Sequence, residues 1–108
     1  MVNDQRGCPT YTPDLAFALA QLCHKSARGI LHATNSGDCT WYEFARAIVR
    51  ISRLTTVVKP VTTAEFPRPA LRPAYSVLSP ASLHSCGIRM PDWQDALRRY
   101  LAAAPTQP

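Results

Sequence analysis

The sequence predicts a small α/β domain of about four helices and two or three short strands. Helix-start signals recur four times along its 108 residues, and short β-branched runs and clusters of turn-forming residues lie between them. At 46% hydrophobic and 18% charged, the composition is that of one globular domain with a modest core. The expected domain spans residues 1–101, with a flexible tail over 102–108.

Asn3 to Thr12 is dense in turn chemistry and feeds the first helix. Thr12 is placed to cap it, Pro13 suits the first turn, and Asp14 lies near the positive end of the dipole. Leu15, Ala18, Leu19 and Leu22 then recur at helical spacing, and an end is expected near Arg28-Gly29, where glycine takes the left-handed closing conformation. Ile30 to Thr34 is short, apolar and partly β-branched, which predicts a buried strand; Asn35-Ser36-Gly37-Asp38 breaks it.

Thr40-Trp41-Tyr42-Glu43 is a capping box, in which threonine accepts the Glu43 amide and the glutamate reaches back to the Thr40 amide. The second helix starts there. Phe44, Ile48 and Ile51 mark one face, while Arg46, Arg50 and Arg53 fall largely on another. Thr55 to Thr62 is expected to be extended, with Pro60 confining it to an edge or ending its pairing.

Phe66 to Pro73 holds three prolines and two arginines and is expected to be an ordered loop. Ser79-Pro80 predicts an N-cap and first-turn proline for a short helix to about Cys86, closed by Gly87. Asp92 to Leu101 is the final helix, with Trp93, Leu97 and Tyr100/Leu101 on its core face. Trp41 and Trp93 both fall at apolar helix positions and are expected to be core anchors.

Several function classes are set aside. No apolar stretch approaches the roughly 20 residues that span a bilayer, and no basic segment with an apolar core follows Met1, so the expected compartment is the cytoplasm, without membrane contact. Cys8, Cys23, Cys39 and Cys86 lack paired metal-ligand spacing and are expected to be free thiols; no metal is expected. The net charge of +5 comes from basic residues spread along the chain rather than a basic stripe, which argues against nucleic acid. A positive field also favours a diphosphate-bearing ligand.

Four blocks in order carry a family resemblance. They are Asp4-Gln5-x-Gly7-x-Pro9-Thr10 with Asp14-Leu15-Ala16, Gly29 to Asn35, Gly37-x-Cys39-Thr40-Trp41-Tyr42-Glu43-Phe44-Ala45, and Arg68-Pro69-x-x-Arg72-Pro73-x-Tyr75-Ser76-Val77-Leu78. Nearly the whole chain resembles the C-terminal, substrate-binding part of the dTDP-4-dehydrorhamnose reductase family, extended short-chain dehydrogenases/reductases acting on nucleotide sugars. The resemblance implies a small, incomplete α/β substrate-binding lobe lacking the dinucleotide-binding Rossmann half. Only Met1 and Val2 stand before the opening loop, where the family has that half. Ser79 departs from the family's usual aspartate but still suits a helix cap.

The missing motifs bear on activity. A dinucleotide site needs a glycine-rich turn between strand and helix, and the four glycines, Gly7, Gly29, Gly37 and Gly87, are scattered. The family's Tyr-x-x-x-Lys pair is absent; Tyr42-x-x-x-Arg46 has its spacing, but arginine is no substitute for that lysine. Tyr42 is expected to pack at the first turn and Arg46 to be solvated. The expectation is no cofactor and no catalytic residue in this chain, NADPH or NADH being implied for the full-length family.

The residues proposed to meet substrate are Gln5, Gly7, Pro9, Thr10, Arg68 and Arg72. Gln5 and Thr10 present polar groups to a sugar or nucleotide, Gly7 and Pro9 hold the loop against it, and the arginines pair with phosphate oxygens. The alternatives are a tight connection that merely starts a helix, and surface arginines. The leading reading is a nucleotide-sugar-binding lobe, truncated or stand-alone, inactive by itself, and associated as a homo-oligomer or with a cofactor-binding chain. A self-associating or partner-binding interaction module comes second, and a basic nucleic-acid-binding domain third.

Overall fold

Two strands of two residues each pin the opening loop to the start of a helix. β1 (Arg6–Gly7) and β2 (Cys39–Thr40) pair antiparallel, with Arg6 opposite Thr40 and Gly7 opposite Cys39. The computed structural model describes residues 1–103, and its helices are α1 (Thr12–Cys23), α2 (Trp41–Ile51), α3 (Ala81–Ser85) and α4 (Trp93–Ala103). The order along the chain is β1, α1, β2, α2, α3, α4.

Of the expected four helices and two or three short strands, four helices and two strands are present among the described residues, but the strands lie elsewhere. Residues 30–34 form no strand, and Ile30 is 84% exposed. Of residues 55–62, only Val61 makes a bridge, parallel to Val2. A strand exists only where a ladder satisfies its backbone, so β-branched composition without a neighbour leaves extended loop. Arg6 finds partners on both sides, bridging Thr40 and, in parallel, Tyr75.

Local signals fare better at the helices. The Thr40–Glu43 capping box forms as written: Thr40 Oγ1 accepts the Glu43 amide at 3.1 Å and Glu43 Oε2 accepts the Thr40 amide at 2.8 Å. α1 corrects two expectations. It ends at Cys23, not near Gly29: its last core residue is Leu22, and the next three residues, His24, Lys25 and Ser26, are polar and exposed. Its N-cap is Tyr11, with no side-chain cap; the Tyr11 amide instead donates to Asn35 Oδ1 at 2.7 Å. α3 starts at Ala81 with Pro80, not the expected Ser79, as its N-cap, while Ser79 Oγ accepts the Ala81 amide at 3.3 Å from one residue further out. Gly87 closes it with φ +76°. α4 takes in Ala102 and Ala103, the first two residues of the expected tail; residues 104–108 lie outside the described residues.

Two small cores result. Ala18, Leu83, Ile88 and Met90 gather between α1 and α3, with Leu22 and Ala33 against them. Cys39, Ala47, Trp93 and Leu97 join β2, α2 and α4, flanked by Phe44, Ile48, Ile51 and Leu101. Gly37 joins the parts with φ +79°, a turn where a Cβ would meet Asp92 Oδ2 and Trp93 Cδ1 at 3.0 Å. Glycine alone takes both that conformation and that approach without strain. Among the described residues no helix is long and apolar enough to cross a membrane.

Candidate functional site

The opening loop is held by residues far away in sequence. Thr63 is the hub: its amide donates to Asp4 Oδ2 at 2.9 Å, its hydroxyl to Asp4 Oδ1 at 2.7 Å, and it accepts from Gln5 Nε2 at 3.0 Å. The Thr63 amide, seconded by its hydroxyl, holds the Asp4 carboxyl below its ordinary range. Thr62 and Glu65 clasp each other through the Thr62 amide and hydroxyl, 2.6 and 2.8 Å from Glu65 Oε2, and these bonds likewise lower the Glu65 carboxyl. This turn carries the arginine loop to the opening loop.

The proposed substrate residues divide among three hollows. Buried Gln5 and exposed Arg68 and Arg72 line the first, of about 720 Å³, with Trp41, Phe66 and Leu71. The Arg68 guanidinium lies 5.5 Å from the centre of the Phe66 ring. Gly7 and Pro9 line the second, of about 260 Å³, with Cys8, Trp41, Ser76 and Leu78. A Cβ on Gly7 would stand 3.2 Å from Ser76 Oγ, so the glycine permits that close approach. Thr10 lies apart, with Pro9, in a third hollow of about 480 Å³ whose wall includes Phe44, Trp93 and Tyr100. Its hydroxyl donates to the Cys8 carbonyl at 3.1 Å. Gln5, Arg68 and Arg72 therefore come together, and Thr10 does not join them.

Trp41 departs from expectation. Trp93 is a core anchor at 7% exposure, but Trp41 is 47% exposed. It continues the spacing of Phe44, Ile48 and Ile51, so the sequence pattern places it on the core face; as the first residue of α2 it stands beyond the edge of the core. Arg6, on the loop itself, is a residue that no local sequence pattern marks. Its Nε lies 2.6 Å from Asp38 Oδ2 and its Nη1 3.4 Å from Glu43 Oε2, contacts that raise its pKa, chiefly through the Asp38 bond. That cation is already neutralised. Arg46 is exposed and lies 5.6 Å from the centre of the half-buried Tyr42 ring.

The described residues do not fit a dinucleotide. The α2 N-terminus follows β2 directly, and its leading amides are occupied: Tyr42 N donates to the Val2 carbonyl at 3.0 Å and Glu43 N to Thr40 Oγ1. Each left-handed glycine, Gly29, Gly37 and Gly87, stands in a separate turn. Among the described residues these features build no backbone cradle for a pyrophosphate. Burial, with help from the Glu43 charge, pushes the Cys39 thiol up to about 12, so it is no nucleophile. All four cysteines are free.

Known proteins give these features a family. The model of the RmlD substrate binding domain matches residues 1–105. The spore coat polysaccharide biosynthesis protein SpsK of Bacillus subtilis is 50% identical over 94% of this chain and 35% of its own length. The dTDP-4-dehydrorhamnose reductase of Mycobacterium tuberculosis strain H37Rv is 42% identical over 95% of this chain and 35% of its own. A crystal structure of dTDP-4-dehydrorhamnose reductase from Bacillus anthracis, in complex with NADP, superposes with a TM-score of 0.90 at 38% identity, covering 95% of this chain and 37% of that one. The chain thus spans about a third of the length of the curated relatives it matches. Fold and sequence agree, and the chain belongs to the family of RmlD substrate-binding domains.

Proposed function

We propose that this domain binds the nucleotide-sugar substrate of a dTDP-4-dehydrorhamnose reductase-type reaction and forms one wall of its pocket. The observation that carries the reading is the meeting of Gln5, Arg68 and Arg72 in one hollow. Two guanidinium groups offer the planar, paired donors that suit a diphosphate, and a buried amide beside them suits a sugar or ribose hydroxyl. Gly7 and Pro9 shape the adjoining wall, and Thr10 stiffens the loop behind it.

Hydride transfer requires NADPH or NADH held by a different domain, whose docking face we assign to the exposed apolar side chains of this lobe. Association with such a domain, or with a second copy, is part of the proposal, as is the cytoplasm as its compartment. Isothermal titration of the chain with dTDP and dTDP-L-rhamnose tests the reading: saturable binding that is lost in the Arg68→Ala/Arg72→Ala double variant is expected, and no heat with either ligand overturns it. Mixed with NADPH and dTDP-4-dehydro-6-deoxy-L-mannose, the chain alone is expected to oxidise no nicotinamide.

A further inference from the structure

We infer that the Trp41 indole is the platform on which the nucleobase of the bound nucleotide stacks, an assignment that rests on the nucleotide-sugar reading above. Trp41 leaves 47% of its surface exposed at the head of α2, where a large apolar side chain gains nothing from solvent. It is also the one residue shared by the Gln5/Arg68/Arg72 hollow and the Gly7/Pro9 hollow. The exposed ring therefore joins the two groups of proposed ligand residues into one continuous surface.

Its mounting is rigid. The next amide, Tyr42 N, is tied to the Val2 carbonyl at 3.0 Å, and the preceding hydroxyl, Thr40 Oγ1, donates to Asn3 Oδ1 at 2.9 Å. The capping box and the Arg6–Thr40 strand pairing fix the same turn. A flat aromatic face already held in place loses little entropy on binding, and it accepts any planar base without hydrogen-bond readout. The ligand's remaining charge falls to Arg68 and Arg72 in the same hollow. A diphosphate on the guanidiniums and a base on the indole divide the ligand according to chemistry: charge to cation, π face to π face.

The test is titration of the full chain with dTDP and with inorganic pyrophosphate, for wild type, Trp41→Ala and Trp41→Phe. Trp41→Ala is expected to weaken dTDP about tenfold or more while leaving pyrophosphate unchanged, and Trp41→Phe to keep most of the dTDP affinity. Saturating dTDP is expected to quench the wild-type tryptophan emission but not that of Trp41→Phe, whose remaining indole, Trp93, is buried. Wild-type dTDP binding that leaves the emission unchanged, or that Trp41→Ala does not weaken, overturns the stacking role alone. Equal losses for dTDP and pyrophosphate do the same, because they show damage to the phosphate subsite. A wild type that binds neither ligand overturns the nucleotide reading itself.

Discussion

Arg99 grips Asp14 with both terminal nitrogens, each 2.7 Å from a carboxylate oxygen, and so ties α4 to α1 across 85 residues of sequence. Asn35 completes the joint: its Nδ2 donates to Asp14 Oδ2 at 2.7 Å and to the Pro91 carbonyl at 3.0 Å, while its Oδ1 accepts the Tyr11 amide. The Arg99 guanidinium also lies 5.4 Å from the centre of the Tyr11 ring. One buried amide and one bidentate ion pair therefore set where the opening loop enters its helix.

The pair makes stability depend on pH. Arg99, with help from Asn35, holds the Asp14 carboxyl below its ordinary range against the opposing effect of burial. A folded pKa below the unfolded value, about 3.9, means a contribution fully present above that value and lost as pH falls through the folded pKa. Asp14→Asn is expected to melt below wild type at neutral pH, with the gap closing in acid. Melting curves at neutral pH and near pH 2 check this, and a gap that stays constant contradicts it.

Asn35 is 1% exposed and serves three partners; truncation leaves the Tyr11 amide without its acceptor, while Asp14 keeps Arg99 and the Pro91 carbonyl keeps the Ser36 amide at 2.8 Å. Asn35→Ala is expected to cost about 2 kcal/mol in urea unfolding. The amides of the opening loop are expected to exchange faster with deuterium than those of α2 in the same variant.

The C-terminus of α2 carries an opposite opportunity. Leu54 N donates to the Val49 carbonyl at 3.0 Å and Arg53 N to the Arg50 carbonyl at 3.3 Å, a Schellman closure that places Arg53 at φ +54°. A side chain with a Cβ pays for that conformation where glycine does not. Arg53→Gly is expected to stabilise the chain by about 0.5 kcal/mol, read as a higher melting temperature.

Thiol reactivity is expected to follow burial. Cys23 is exposed, Cys8 and Cys86 are half-buried, and Cys39 is buried with its thiol pushed up to about 12. Iodoacetamide at mildly alkaline pH is expected to label Cys23 readily and Cys39 only when the chain is unfolded, which peptide mass spectrometry resolves.

The elements legible in the sequence share one property. The capping box at Thr40 and Glu43, the left-handed turns at Gly37 and Gly87, and the start of α4 each depend on residues within a few positions of one another. Their physics is local, so the residue order specifies it. The family resemblance, built from ordered blocks of such local features, was legible for the same reason. The six proposed ligand residues were legible as chemistry but not as a group: only the fold joins Gln5 to Arg68 and Arg72 and sets Thr10 aside.

By itself the sequence determined four helices, their approximate places and the family. Tertiary structure alone decided which extended segments became strands, why α1 stops at Cys23, and that Trp41 faces out while Trp93 faces in. It also brought Thr63 to Gln5, 58 residues away, and Arg99 to Asp14. A ladder, a core edge or an ion pair needs a partner supplied by distant chain, and no local pattern names that partner.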